Sequence, residues 1–193
     1  MNAVIGILAL QGAFDAHERA VRRCGAPTLQ VRTADDLDQV DALVMPGGES
    51  TTMSHLLSTS GLFELIAKRL SDDMPVFGTC AGMILLAQTV YDARPDQQSF
   101  SALDIDVRRN AYGRQVDSFE CDMHVEGLTK PFHAVFIRAP RVERVGEGVE
   151  VLASHESAPV LVRQGHVLAA SFHPELTNDD RIHEQFITMV TEV

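Results

Sequence analysis

Three short apolar runs, each cut off by glycine, punctuate the first half of the sequence: Ala3 to Leu10 before Gln11-Gly12, Asp41 to Met45 before Pro46-Gly47-Gly48, and Pro75 to Phe77 before Gly78-Thr79-Cys80-Ala81-Gly82. Apolar runs of that length without alternation read as strands buried on both faces, which belong to parallel sheets covered by helices. The segments between them have the matching spacing. Ala13 to Cys24 places Phe14, His17 and Val21 on one helical face, and Glu49 to Leu57 and Leu62 to Leu70 read as two helices broken at Ser60-Gly61. A further strand is expected at Thr28 to Arg32, followed by a helical turn at Asp35-Asp36 that Thr33 can cap. Met83 to Val90, apolar on nearly every face, predicts a buried helix.

The second half alternates instead. Ala102 to Val107, Val116 to Val125, Ala134 to Ile137, Val149 to Ala153 and Val160 to Arg163 predict strands joined by turns, Val167 to Phe172 is more uniformly apolar, and Asp179 to Val190 reads as a closing amphipathic helix. Alternating βα units followed by a strand-rich segment predict an α/β fold of three layers, a mainly parallel central sheet flanked by helices, in a single domain over residues 1–193.

Charge and cysteine usage narrow the function. Sixteen Lys and Arg stand against 27 Asp and Glu, a net charge of −11 that repels phosphate backbones and anionic membranes, so no nucleic acid and no membrane is expected as a partner. No apolar run approaches the length of a spanning helix and MNAVIGILALQGAF has no basic flank before its apolar run, so a cytoplasmic location is expected. Cys24, Cys80 and Cys121 are too few and too irregularly spaced for a disulfide framework, and no CxxC is present.

Two segments carry the chemistry. FGTCAG, Phe77 to Gly82, has a nucleophile between two glycines at a strand-to-helix turn, with cysteine in the nucleophile's place. Small flanking residues let strand and helix approach closely, and the start of a helix favours a thiolate. The second is SFHPEL, where His173 and Glu175 flank Pro174 directly after an apolar run. Proline pushes His173 toward extended backbone, so that His173 and Glu175 are expected on the same side, the carboxylate orienting an imidazole that takes the thiol proton. The same His-x-Glu spacing occurs at zinc deaminase sites, but these also need a Pro-Cys-x-x-Cys that is lacking here, so no metal is expected. Of the remaining histidines, His17, His55 and His183 fall in helices, His124 and His133 in or beside alternating strands, and His155 and His166 near turns, where core or solvated roles are the ordinary ones. A third segment, MPGGES from Met45 to Ser50, can turn backbone N–H groups inward beside Cys80 as oxyanion donors, and it lacks the lysine of a phosphate loop.

PGGES, GTCAG and FHPEL in this order resemble the class I glutamine amidotransferases. GILALQGAFDAH, VMPGGESTTM, FGTCAGMILLA, RRNAYGRQVDSFE, FIRAP and SFHPELTND narrow the resemblance to the glutaminase subunits of pyridoxal 5′-phosphate synthase, and Ile84 stands where many amidotransferases have glutamine. The resemblance implies that L-glutamine is hydrolysed through a thioester on Cys80, with His173 as base and acid and Glu175 as the orienting carboxylate. Gly48, Glu49, Ser50, Arg109, Ile137 and Arg138 match the family's glutamine-binding positions, and the N–H groups near Gly47, Gly48 and Ala81 would form the oxyanion site. Free glutamine presents a carboxylate and an ammonium, so a guanidinium and an acidic side chain suit its two ends, and spacing leaves open which of Arg109, Arg138 and Glu49 meets which. The family passes ammonia to a synthase subunit, a ring of β/α-barrels that makes pyridoxal 5′-phosphate from ribose 5-phosphate and glyceraldehyde 3-phosphate. It uses no cofactor of its own. The elbow and triad alone also fit a glutaminase serving another synthase, such as imidazole glycerol phosphate synthase, or a non-catalytic docking subunit.

Overall fold

The computed structural model describes residues 3–109 and 118–192. The first half is a succession of βα units: β1 (Ile5–Leu8), α1 (Phe14–Arg23), β2 (Thr28–Val31), α2 (Ala34–Leu37), β3 (Ala42–Met45), α3 (Ser50–Thr59), α4 (Leu62–Ser71), β4 (Val76–Thr79) and α5 (Ala81–Leu86). Local chemistry sets the boundaries. Thr33 and Asp36 form a reciprocal capping box at the start of α2, and Gly61, at φ 74°, takes the left-handed turn between α3 and α4.

The second half adds β5 (Ala87–Tyr91), β6 (Leu103–Arg108), β7 (Ser118–Met123), β8 (Phe132–Ile137), β9 (Arg141–Val145), β10 (Glu150–His155), β11 (Ala158–Gln164) and β12 (Val167–Ala170). A 3-10 turn (Pro174–Leu176) and α6 (Arg181–Thr191) follow. The principal sheet runs β10-β11-β12-β4-β3-β1-β2; β2, β1, β3, β4 and β12 pair in parallel, while β11 and β10 join antiparallel. A three-stranded sheet, β5-β6-β9, and the β7-β8 hairpin complete the described strands.

Successive strand residues point to opposite faces, and the two faces bury separate clusters. Leu43, Met45 and Val76 pack with Leu57 of α3, Ile66 of α4, Leu85 of α5 and Ile105 of β6. Ala42, Val44 and Phe77 pack with Val21 of α1, Ile182 and Phe186 of α6, and Phe132 and Phe136 of β8. A mainly parallel sheet between two covered faces is the α/β architecture expected from the sequence. Among the described residues no helix is long and apolar enough to cross a membrane.

Two elements differ from the sequence reading. The helix expected through Val90 ends at Leu86; Ala87 turns extended (φ −63°, ψ 150°), and the chain enters β5, which pairs in parallel with β6. Gln88 and Thr89 face solvent, and the β-forming Thr89-Val90-Tyr91 gains a strand partner that periodicity does not register. The strand β9 was not expected either, since RVERV carries three charges, with the adjacent Glu143-Arg144 breaking the apolar alternation, and reads as a loop until β6 supplies its partner. Val116 and residues 110–117 of the RRNAYGRQVDSFE block lie outside the described residues.

Candidate active site

Parallel pairing of β4 with β12 sets Thr79 opposite Ala170, and the N–H of Cys80 donates to the Ala170 carbonyl at 2.8 Å. The exits of these two strands therefore lie side by side, one leading into Cys80 and the other into Ser171-Phe172-His173. Cys80 adopts φ 49° and ψ −101°, a left-handed conformation costly for a residue with a side chain. Glycines make this elbow possible. A methyl on Gly82 would stand 2.2 Å from the Met45 carbonyl oxygen, and one on Gly78 would stand 2.6 Å from Leu86 Cδ1.

His173 is held from both sides. Its backbone N–H donates to the Val135 carbonyl at 2.8 Å, and its Nδ1 donates to Glu175 Oε1 at 2.7 Å, leaving Nε2 for the hydrogen bond with Cys80. Burial alone would lower the imidazole pKa; the partners Cys80 and Glu175 more than offset it and raise it to about 10, while the Glu175 carboxyl is held below its ordinary value. His173 itself is extended (φ −110°, ψ 85°), as Pro174 dictates, but Glu175 sits within the 3-10 turn that Pro174 opens. The two side chains meet through that turn and not through continued strand alternation, which corrects the extended exit expected from the sequence.

A cavity of about 150 Å3 opens beside the sulfur, small against the pockets that hold drug-sized ligands, and therefore scaled to a small metabolite. Gly48, Glu49, Ser50, Cys80, Ile84, Arg109, Ile137, Arg138 and His173 line it. Gly47 lies directly behind, where a methyl would stand 2.4 Å from His173 Cε1 and 3.3 Å from Cys80 Cβ. Ala81 opens α5 next to the sulfur. The Cys80 sulfur also lies 3.9 Å from the Ile137 carbonyl oxygen, and Arg138, exposed and at φ 44°, turns the chain at the rim.

Glu49 and Arg109, both named from the sequence, pair with one another at 3.0 Å. Arg109 also donates to Thr51 Oγ1 at 2.9 Å and to Gln97 Oε1 at 2.6 Å, which ties the end of β6 to the start of α3. The Glu49 carboxylate caps α3, accepting from the backbone N–H groups of Thr51 and Thr52. Burial pushes the Glu49 carboxyl up, yet these N–H groups and the threonine hydroxyls bring it down to about 2. Ser50 is buried and its hydroxyl accepts from Gln97 Nε2 at 3.3 Å.

Sequence reasoning missed Gln97, Gln11 and two histidines. Gln11 Oε1 accepts the Glu49 N–H at 3.3 Å. His17 and His183 are both fully buried directly behind Glu175; the signal for His17 was its place on the apolar face of α1 beside Phe14 and Val21. For His183 it was the neighbouring Ile182 and Phe186.

An α/β sheet carrying an elbow cysteine, a hydrogen-bonded His-x-Glu and a small polar cavity at the strand exits defines a glutamine amidotransferase architecture. The model of the SNO glutamine amidotransferase family matches residues 7–192, and the chain belongs to that family. Within it, a relative from Mycobacteroides abscessus named pyridoxal 5′-phosphate synthase subunit PdxT is 54% identical over 190 residues, covering 98% of each chain. A relative of the same name from Corynebacterium jeikeium is 53% identical, over 98% of this chain and 97% of its own. A solved structure described as a glutamine amidotransferase superimposes with a TM-score of 0.92 at 49% identity, covering 97% of this chain and 98% of its own.

Proposed function

We propose that the chain is the glutamine-hydrolysing subunit of a pyridoxal 5′-phosphate synthase, releasing L-glutamate and ammonia from L-glutamine. The observation that carries the chemistry is the line Cys80, His173, Glu175 at the mouth of the small cavity. The Cys80 thiolate attacks the side-chain amide carbon, and the N–H groups around Gly47, Gly48 and Ala81 hold the oxyanion. Protonated His173 gives its proton to the departing nitrogen, which leaves as ammonia while the C–N bond breaks and the thioester remains. The now neutral imidazole takes a proton from water, whose oxygen attacks the thioester carbon; collapse frees glutamate and restores the thiolate. Glu175 keeps the imidazole oriented throughout. Gly48, Glu49, Ser50, Arg109, Ile137 and Arg138 bind the amino-acid end of glutamine.

The relatives' shared name describes a subunit, and a solvent-exposed ammonia would be protonated and lost. The chain therefore works docked to a synthase subunit, a ring of β/α-barrels in the cytoplasm, as a single domain that needs no cofactor. Docking raises the rate, through reorientation of a peptide in the Gly47-Gly48 turn. Glutamate release is measured with and without the synthase subunit, together with glutamine-dependent pyridoxal 5′-phosphate formation. The rate is expected to rise on docking and to vanish in Cys80→Ala; equal rates with and without the partner, or hydrolysis by Cys80→Ala, would count against the reading.

A further inference from the structure

Behind the catalytic line lies a second one that the proposed chemistry does not use. His17 Nδ1 is 2.9 Å from His183 Nε2, while His17 Nε2 is 3.0 Å from Thr79 Oγ1 and 3.3 Å from Glu175 Oε2. Both histidines are completely buried. Their rings pack against Phe77, His17 edge-on at 6.2 Å and His183 edge-on at 5.7 Å.

Two observations decide where the protons sit. Glu175 accepts from His173 at Oε1, and its Oε2 is buried with no close hydrogen bond among the described residues. His17 Nε2 is the side-chain nitrogen placed to supply one. A bare lone pair there would face an anion; an N–H would satisfy it. Separately, His183 Nδ1 is buried without a partner among the described residues. If His17 donated from Nδ1, neutral His183 would have to accept at Nε2 and carry its own proton on Nδ1, an orphaned buried donor. The opposite direction leaves only an unpaired acceptor. The hydrogen-bond chain therefore runs from His183 Nε2–H to His17 Nδ1, and from His17 Nε2–H toward Thr79 and Glu175.

We propose that His17 is a positioning residue for the glutaminase site, its Nε2–H steadying the outer oxygen of Glu175 and His183 locking it in that tautomer. The inference rests on the glutaminase reading for its kinetic consequence but not for its tautomer. His17 contributes a dipole, since burial lowers its pKa and keeps it neutral. The charged and titratable groups facing the pair are Glu175 and His173 around His17, and Glu175, Asp180 and Arg23 around His183. Through Thr79, the residue before the nucleophile, the same N–H also ties the carboxylate to the elbow. In this arrangement His17 keeps Glu175 ionised, and an ionised Glu175 keeps His173 oriented.

Imidazole nitrogen NMR on the isotope-labelled full chain at neutral pH is expected to show His17 as the Nε2–H tautomer; an Nδ1–H or doubly protonated His17 would overturn the proposal. The second arm is the pH profile of kcat/KM for glutamine hydrolysis in the presence of the synthase subunit, with active sites counted by covalent labelling of Cys80. His17→Leu is expected to move the acid limb up by about one pH unit or more, because Glu175 then takes a proton more readily, and to lower kcat about tenfold with little change in KM. His17→Gln, which keeps a donor there, is expected to hold the wild-type acid limb. A His17→Leu enzyme with the acid limb unmoved would make His17 a packing residue and overturn the proposal; so would His17→Gln behaving like His17→Leu. A wild-type complex that released no glutamate would overturn the glutaminase reading instead, and the tautomer would then decide the positioning role alone.

Discussion

A single carboxylate illustrates how much one side chain can be asked to do. Glu175 is buried and accepts from His173 at 2.7 Å, and in the proposed chemistry it acts through that imidazole. Glu175→Gln keeps the shape but offers an amide N–H that favours the wrong imidazole tautomer, so kcat for glutamine hydrolysis is expected to fall about 10^3- to 10^4-fold with folding retained, as read by steady-state kinetics and circular dichroism. Glu49 differs because it is half exposed and caps a helix. Glu49→Ala removes the cap on α3, with an expected cost of about 1 kcal/mol and a drop in melting temperature of about 2–4 °C, measurable by calorimetry. The pH sense follows from a folded pKa of about 2 against 4.5: the stabilisation is present above 4.5 and is lost as the pH falls through 2. At this scale the sequence was most legible where a residue's type is tied to a turn. Cys80 and His173 could be read because glycine and proline fix the backbone around them. His17 could not, because a histidine on an apolar helical face has the same pattern whether it fills a core or touches a carboxylate.

Elements were legible in proportion to how local their causes are. The βα units of the first half follow from apolar runs, glycine stops and the Thr33 cap, all short-range. β5 and β9 depend on β6, a partner far along the chain, and pairing overrode the helical pattern after Leu86. The elbow shows the opposite limit, where the element exists only because two positions lack side chains. Gly82→Ala would push a methyl against the Met45 backbone, and since backbone yields less than a side chain, the cost is expected to exceed ~2 kcal/mol. Urea unfolding should show a lower midpoint at unchanged slope, and Cys80 labelling by a glutamine analogue should slow. Phe77 links the same strand to α6, its ring 5.7 Å from Phe186. Phe77→Ala is expected to cost about 3–5 kcal/mol by the same denaturation assay.

The whole molecule carries its histidines in opposed states, and its pH stability should reflect this. His183 is buried neutral, its pKa pushed down to about 3 mainly by desolvation and then by His17. Below 6.5 the unfolded chain binds a proton there that the folded chain refuses, so stability is full above 6.5 and falls as the pH drops toward 3, by roughly 1.4 kcal/mol per pH unit. The lowered pKa of His17 acts in the same direction. His173, raised to about 10, works the other way: its stabilisation is present below 6.5 and is lost as the pH rises through 10. Chemical denaturation across pH should therefore place the maximum near neutrality, and His183→Leu should flatten the slope between 6.5 and the carboxylate range. The strand order has one more consequence. Because β12 inserts beside β4 from the far end of the sequence, Cys80 and His173 share no local segment, and ribosomal synthesis delivers them at widely separated times. A nascent or half-folded chain therefore carries Cys80 without His173 beside it, and the proposed thiol–imidazole pair forms only once β12 has paired with β4.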